Sequence, residues 1–243
     1  MNKAKWHIIF FFFFLLPCFV FSTIDTSTVS YLNYTQNKGQ WNAKVLYKTN
    51  FRGGNLFLEK NAFTYLFYPK EGLEEFHHRP SSANNKATFQ AVKMSFENAL
   101  NEVEINSSDK LSHYQNYFLG KDQTKWAKEV ASYKYVNYKN IYEGISVKTF
   151  GNENDVRYDF IVEPNANPFL IQLKFTGQNK LYLKNGELIL ETEVGDIIQK
   201  APVAYQIIRK TIRVVNCSYQ LKNNTLSFVL GTYNKQLPLI IDP

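Results

Sequence analysis

The sequence predicts an all-β fold, an antiparallel β-sandwich built as one large or two smaller β units, with one short helix near 122–129. Three observations predict it. Apolar residues alternate with polar ones in short runs, the period of a half-buried strand. Turn signals recur about every 8 to 12 residues, the spacing of sandwich strands rather than of βαβ units. Where a turn pair stands between two runs, the register it implies puts the apolar residues of both runs on one face.

Taken in order, the chain opens on Lys3 and Lys5, an apolar run from Ile8 to Phe21 broken by Pro17, and small residues before Thr23. This is the pattern of a secretory signal peptide over 1–22. A membrane anchor is the competing reading, but the run of roughly 14 residues falls short of the roughly 20 that span a bilayer. A lipoprotein leader would use Cys18, and Pro17 fits a lipobox poorly. Residues 23–36 form an N-terminal segment, and 37–243 the β-sandwich domain, with a sub-boundary expected near Lys121.

Leu56, Leu58, Phe63, Tyr65 and Phe67 share a face if Lys60-Asn61 is a turn, and Gly53-Gly54 is the bend before that strand. Pro69 to Lys86 is polar, interrupted by Gly72 and Pro80, and is expected to be a surface loop. Val92, Met94 and Phe96 alternate next. Asp122 is placed to cap a helical turn from Gln123 to about Glu129, with Trp126 as its packing anchor. Tyr133 to Lys139 and Tyr158 to Val162 again read as half-buried strands.

Asn185-Gly186 supplies the two positive-φ positions of a type I′ turn. That turn pairs Lys184 with Glu187, which should attract each other, and sets Leu181, Leu183, Leu188 and Leu190 on one face. Gly195-Asp196 offers a II′ turn joining the strand at 191–194 to the one at 197–200. Asn223-Asn224 sets Leu221 opposite Leu226, Tyr219 opposite Phe228 and Cys217 opposite Leu230. No internal repeat of fixed period is visible, which argues against a propeller.

Several phrases also carry a resemblance: Asn37-Lys38-Gly39-Gln40-Trp41, Gly53 to Lys60, Tyr114-Gln115-Asn116-Tyr117-Phe118-Leu119-Gly120, Tyr158 to Val162, and Leu239 to Pro243. In this order they resemble the N-terminal domain of unknown function of secreted Bacteroidetes proteins, which often continue into SBBP repeats, immunoglobulin-like repeats and a gliding-motility or type IX sorting domain. The resemblance implies an extracellular address and carries no catalytic motif. Ile141 to Ser146 and Pro164 to Pro168 depart from it, each with a neutral residue where the family phrase is acidic, so a cation site at those acids would not carry over. The chain stops where similar proteins begin their repeats, so it is expected to be the N-terminal piece of a longer product or a stand-alone, periplasmic version.

Composition narrows the function classes. The chain carries 28 lysines and arginines against 21 acids, a net charge of +7, and the leader holds two of those lysines. The rest are scattered, not in the stripe that nucleic acid requires. Beyond Cys18 only Cys217 remains, so an exported chain must rely on a buried core rather than disulfides. Cys217 alternates with Val215, Tyr219 and Leu221, as an inert core thiol does.

Catalytic patterns are weak. Glu74, Glu75, His77 and His78 are of metal-ligand type but match no ligand spacing. Asp155, Asp159 and Glu163 are the carboxylates a glycosidase would draw on, and Asp159 alternates as an outward residue. No nucleophile elbow or phosphate-binding loop is present. The dense tyrosines Tyr114, Tyr117, Tyr133, Tyr135, Tyr138 and Tyr142, with Phe118, read mainly as core, with sugar stacking as the alternative.

The expected function is a non-enzymatic structural or adhesion-related module of a Bacteroidetes surface protein, secreted or at the cell surface, with no catalytic residue, metal or cofactor. A carbohydrate-binding module using exposed aromatics is the alternative, and a hydrolase the third reading. The partner is open, a cell-surface glycan or protein, with nucleic acid and membrane insertion of the cleaved chain excluded.

Overall fold

The computed structural model of the chain describes residues 31–69 and 87–243. The leader, the Glu74–His78 set and the loop after Pro69 lie outside them. The regular structure of the described residues is almost entirely strand: β1 (Tyr34–Gln36), β2 (Val45–Phe51), β3 (Gly54–Glu59), β4 (Ala62–Phe67), β5 (Gln90–Phe96), β6 (Glu104–Tyr117), β7 (Ala127–Tyr142), β8 (Ile145–Asn152), β9 (Asp155–Val162), β10 (Leu173–Thr176), β11 (Lys180–Lys184), β12 (Glu187–Glu191), β13 (Ile197–Gln199), β14 (Val203–Ile208), β15 (Thr211–Val215), β16 (Cys217–Lys222), β17 (Thr225–Leu230) and β18 (Leu239–Asp242). No helix among the described residues is long and apolar enough to cross a membrane.

Fifteen strands form one antiparallel sheet in the order β15-β14-β18-β9-β8-β7-β1-β2-β3-β4-β5-β10-β17-β16, with β6 on the outer edge of β7. The sheet does not close into a barrel. It turns back on itself where β7 pairs with β8 through Val136–Tyr142 and with β1 through Ser132 and Tyr133. The two arms so formed pack face to face as a sandwich. Phe63 of β4 meets Tyr138 of β7 at 5.5 Å and Tyr158 of β9 at 5.8 Å, while Phe160 of β9 meets Phe96 of β5 at 6.3 Å and Phe228 of β17 at 5.9 Å. These edge-to-face contacts add to the burial of the largest side chains in the core. The chain crosses between arms repeatedly, since β10, β16 and β17 belong with β5, whereas β14, β15 and β18 belong with β9.

Buried tyrosines tie the arms by their hydroxyls as well as their rings. Tyr138 donates to the Glu59 carbonyl at 2.8 Å and Tyr142 to the Gln172 carbonyl at 3.0 Å. A phenol deep in a sandwich core needs such a partner, and each finds it on the opposite arm.

Local expectations are met where turn chemistry sets them. Asn185 and Gly186 both have positive φ (53° and 83°), as do Asn223 and Asn224 (48° and 61°), and the paired residues are those the turns imply. Leu58 pairs with Phe63 across Lys60-Asn61, and Val92, Met94, Phe96, Tyr158, Phe160 and Val162 are all buried.

Three local expectations need correction. The helix is a single 3-10 turn, Gln123–Lys125, capped as expected by Asp122, whose side chain accepts from the Thr124 amide. Residues 127–129 belong instead to β7, because Ala127 and Val130 bury themselves in the sheet. A second 3-10 turn at Pro168–Leu170 follows Asn167, a cap-then-proline signal. The strands expected to meet at Gly195-Asp196 are separated by a wider loop, since β12 ends at Glu191 and β13 begins at Ile197. Thr192 and Val194 within that loop are buried, which a two-residue turn would not allow. Finally, Glu187 lies opposite Lys184 but its carboxylate pairs with Lys200 at 2.8 Å.

Candidate functional site

The loop between β1 and β2 is organised by one side chain. Asn37 accepts from the amides of Gly39 and Trp41 at 3.0 and 3.2 Å, and its own amide donates to the carbonyls of Asn42 and Val45 at 2.9 and 2.7 Å. An asparagine side chain imitates backbone in this way, so the loop holds its shape without a regular ladder. Lys38 then docks it by donating to the Glu129 carbonyl on β7 at 3.0 Å.

The result is a corner where two distant segments meet. Trp41 from this loop stands edge-to-face with Tyr117, the last residue of β6, at 5.5 Å. Beyond Tyr117, Phe118 packs on Trp126 at 5.6 Å, and the Trp126 indole donates to the Gly120 carbonyl at 3.3 Å. Trp126 is therefore a hairpin-tip residue, partly exposed, rather than a core anchor. Lys48 lies 5.7 Å from the Trp41 ring, and burial lowers its affinity for a proton.

Beneath Trp41 and Tyr117 is a cavity of about 210 Å³. Tyr31 completes its aromatic rim, and Asn33, Asn50, Gln115 and Glu153 supply amides and one carboxylate. Thr35 lies on the floor, its hydroxyl 3.0 Å from that of Ser132. The Tyr117 hydroxyl donates to Gln115 and, held back chiefly by burial, ionises above the usual phenol range. Glu153 is the single carboxylate of this lining, whereas glycoside hydrolysis draws on two. The arrangement offers flat aromatic edges and many hydrogen-bonding groups around a small volume.

The dense tyrosines, read from the sequence mainly as core, divide between core and surface. Tyr138 and Tyr142 are buried, Tyr133 and Tyr135 half-buried, and Tyr114 and Phe118 exposed. Of the carboxylate candidates, Asp155 and Asp159 share one face of β9 with Arg157 and both act on its charge, whereas Glu163 stands apart. Asp155 pairs loosely with Arg157 at 4.0 Å, and Glu163 is exposed past the end of β9. Cys217 is half-buried, and burial pushes its thiol up to about 11, so it is protonated and inert at neutral pH.

Asp159 does face outward, yet one of its oxygens is buried with no hydrogen-bond partner among the described residues. Burial, then the Asp242 carboxylate across the β9–β18 ladder, raises its pKa from 3.8 to about 6. Below about pH 4 the folded and unfolded chains both carry the proton. Between about 4 and 6 the unfolded chain ionises first, so stability falls as pH rises through that window and the loss is complete above it. Discounted for the group's partial exposure, the penalty is about 1 kcal/mol. Asp159→Asn is expected to raise stability at pH 7 by that amount and to flatten the slope between pH 4 and 6, as urea melts at the two pH values will show.

A family model described as a domain of unknown function (DUF7948) matches residues 34–243, from the first residue of β1 to the end of the chain. No curated protein and no solved structure matches it.

Proposed function

The chain belongs to the DUF7948 family of domains of unknown function, and from its geometry we propose that it is a non-enzymatic, adhesion-related module that holds a saccharide unit beneath Trp41 and Tyr117. The observation that carries this reading is the cavity itself. Sugars present apolar C–H faces and a ring of hydroxyls, and they are matched by aromatic walls with amide and carboxylate groups between them. The volume of about 210 Å³ suits one ring rather than a long chain. The leader-like N-terminus and the resemblance to Bacteroidetes surface proteins support an extracellular or cell-surface address.

A second reading, a purely structural module packed on a neighbouring domain, is favoured by the outer face of β14 and β15. Val203, Ile207, Ile212 and Val214 are exposed there side by side, and contiguous apolar surface marks contact sites.

Affinity gel electrophoresis against a broad panel of neutral and acidic polysaccharides separates the two. At least one polysaccharide should retard the protein, with retardation weakened ~10-fold or more in Trp41→Ala, a loss of about 1.4 kcal/mol. Trp126→Ala, which touches Phe118 and not the cavity, should change it less than about 2-fold. No retardation across the panel, or equal retardation of Trp41→Ala, sinks the saccharide reading and leaves the structural one.

A further inference from the structure

A larger cleft of about 460 Å³ opens between the two arms and shares no lining residue with the saccharide pocket. One wall is Tyr65 and Phe67 of β4 with Met94 of β5, and the other is Tyr158 of β9. Leu190 and Ile197 of the small β11-β12-β13 sheet close the side. Sandwich interiors are packed so tightly that few voids exceed a water molecule. This cleft, at about 460 Å³, lies within the range of about 300 to 1,000 Å³ typical of small-molecule sites.

Its polar groups are few and specifically placed. The Gln199 side-chain amide donates to the hydroxyls of both Tyr158 and Tyr219, at 3.2 and 3.0 Å, which occupies Tyr158 as an acceptor. The Tyr158 proton is then left to the Met94 sulfur at 3.4 Å. A thioether is a weak acceptor, so a ligand oxygen entering the cleft would displace it. The rim carries Arg157 and Lys200 against Asp155 and Asp242, with Arg157 paired to Asp242. The charges balance, and the rim selects neither anion nor cation.

We propose that this cleft binds a neutral, largely apolar small molecule whose one acceptor oxygen takes the Tyr158 hydroxyl proton as a hydrogen bond. The site is separate from the saccharide pocket and stands or falls independently of it.

The test is a titration of the full chain with prodan, a neutral naphthalene carrying a ketone, whose emission reports both polarity and hydrogen bonding. Saturable, one-to-one, blue-shifted binding is expected, unchanged in Trp41→Ala. Tyr158→Phe, which keeps the volume and removes the donor, should weaken it about 10-fold and shift emission further to the blue. Ile197→Trp, filling the half-buried side of the cleft, should abolish it, with circular dichroism confirming the fold. Absence of a saturable blue shift in the wild-type chain overturns the proposal. So does undiminished binding in Tyr158→Phe, or in an Ile197→Trp that retains the wild-type circular dichroism spectrum.

Discussion

Phe160→Ala is expected to destabilise the protein by about 3–5 kcal/mol, the cost of removing a large aromatic side chain from a core that cannot collapse around the gap. Phe160 is fully buried and lies at the joint of the sandwich. On its own strand it packs edge-to-face with Tyr158, and across the interface it meets both Phe96 and Phe228. Those two rings sit on strands of the opposite arm, so the vacancy cannot be filled by one side chain swinging in without unpacking another. Domains are stable by only about 5–15 kcal/mol, and a loss of this size moves the urea midpoint far enough to be read without extrapolation. Ile161→Ala, one position along and exposed on the outer face, should stay within about 0.5 kcal/mol. Similar losses for the two variants would mean that the arms do not meet at Phe160.

The second large effect is expected at Gly54→Ala, at about 3 kcal/mol. Gly54 pairs with Phe51 on one side and Phe67 on the other. A Cβ added there would land inside the Leu66 carbonyl oxygen, against backbone on the neighbouring strand rather than a movable side chain. Relief requires sliding β3 against β4, which carry Leu56, Leu58 and Phe63 into the core, and overpacking of this kind costs about 1–3 kcal/mol or more. Gly186→Ala is the control. Its φ of 83° is unfriendly to a side chain, yet the nearest atom to a new Cβ is the Ala201 Cβ at 3.6 Å. Only the conformational term of about 1–2 kcal/mol remains. Thermal melts of the two variants should therefore rank Gly54→Ala well below Gly186→Ala, and the reverse order would contradict the β3–β4 approach.

These two glycines show what could be read before the fold was known. Gly186 announces itself, because Asn-Gly between two alternating runs demands a tight turn whatever surrounds it. The crowding at Gly54 has no local sign, since the atom it must avoid belongs to a strand whose approach is decided by the whole sheet. The helix near 122–129 shortened for a related reason. An isolated turn of that length is marginal, and pairing to β6 claims Ala127 onward, burying Ala127 and Val130. Asn37 and Trp41 stood out in the sequence only as part of a family phrase. Nothing in their spacing said that Tyr117 would complete a pocket with them.

By itself the sequence determined the all-β class, the registers of the hairpins at Lys60-Asn61, Asn185-Gly186 and Asn223-Asn224, and which face of the first and last of these hairpins is apolar; at Asn185-Gly186 Leu183 of the expected face is exposed and Ile189 of the other is buried. Each depends on residues within one turn of each other, where side-chain alternation and backbone φ act directly. Only the tertiary structure decided that β10 enters between β5 and β17, that β18 enters between β9 and β14, and that the sheet turns back on itself at β7. Those pairings join segments far apart in the chain, and many partners would satisfy the same alternation. The choice among them rests on how the core side chains of both arms fill one shared volume. The saccharide pocket and the apolar cleft are products of that choice.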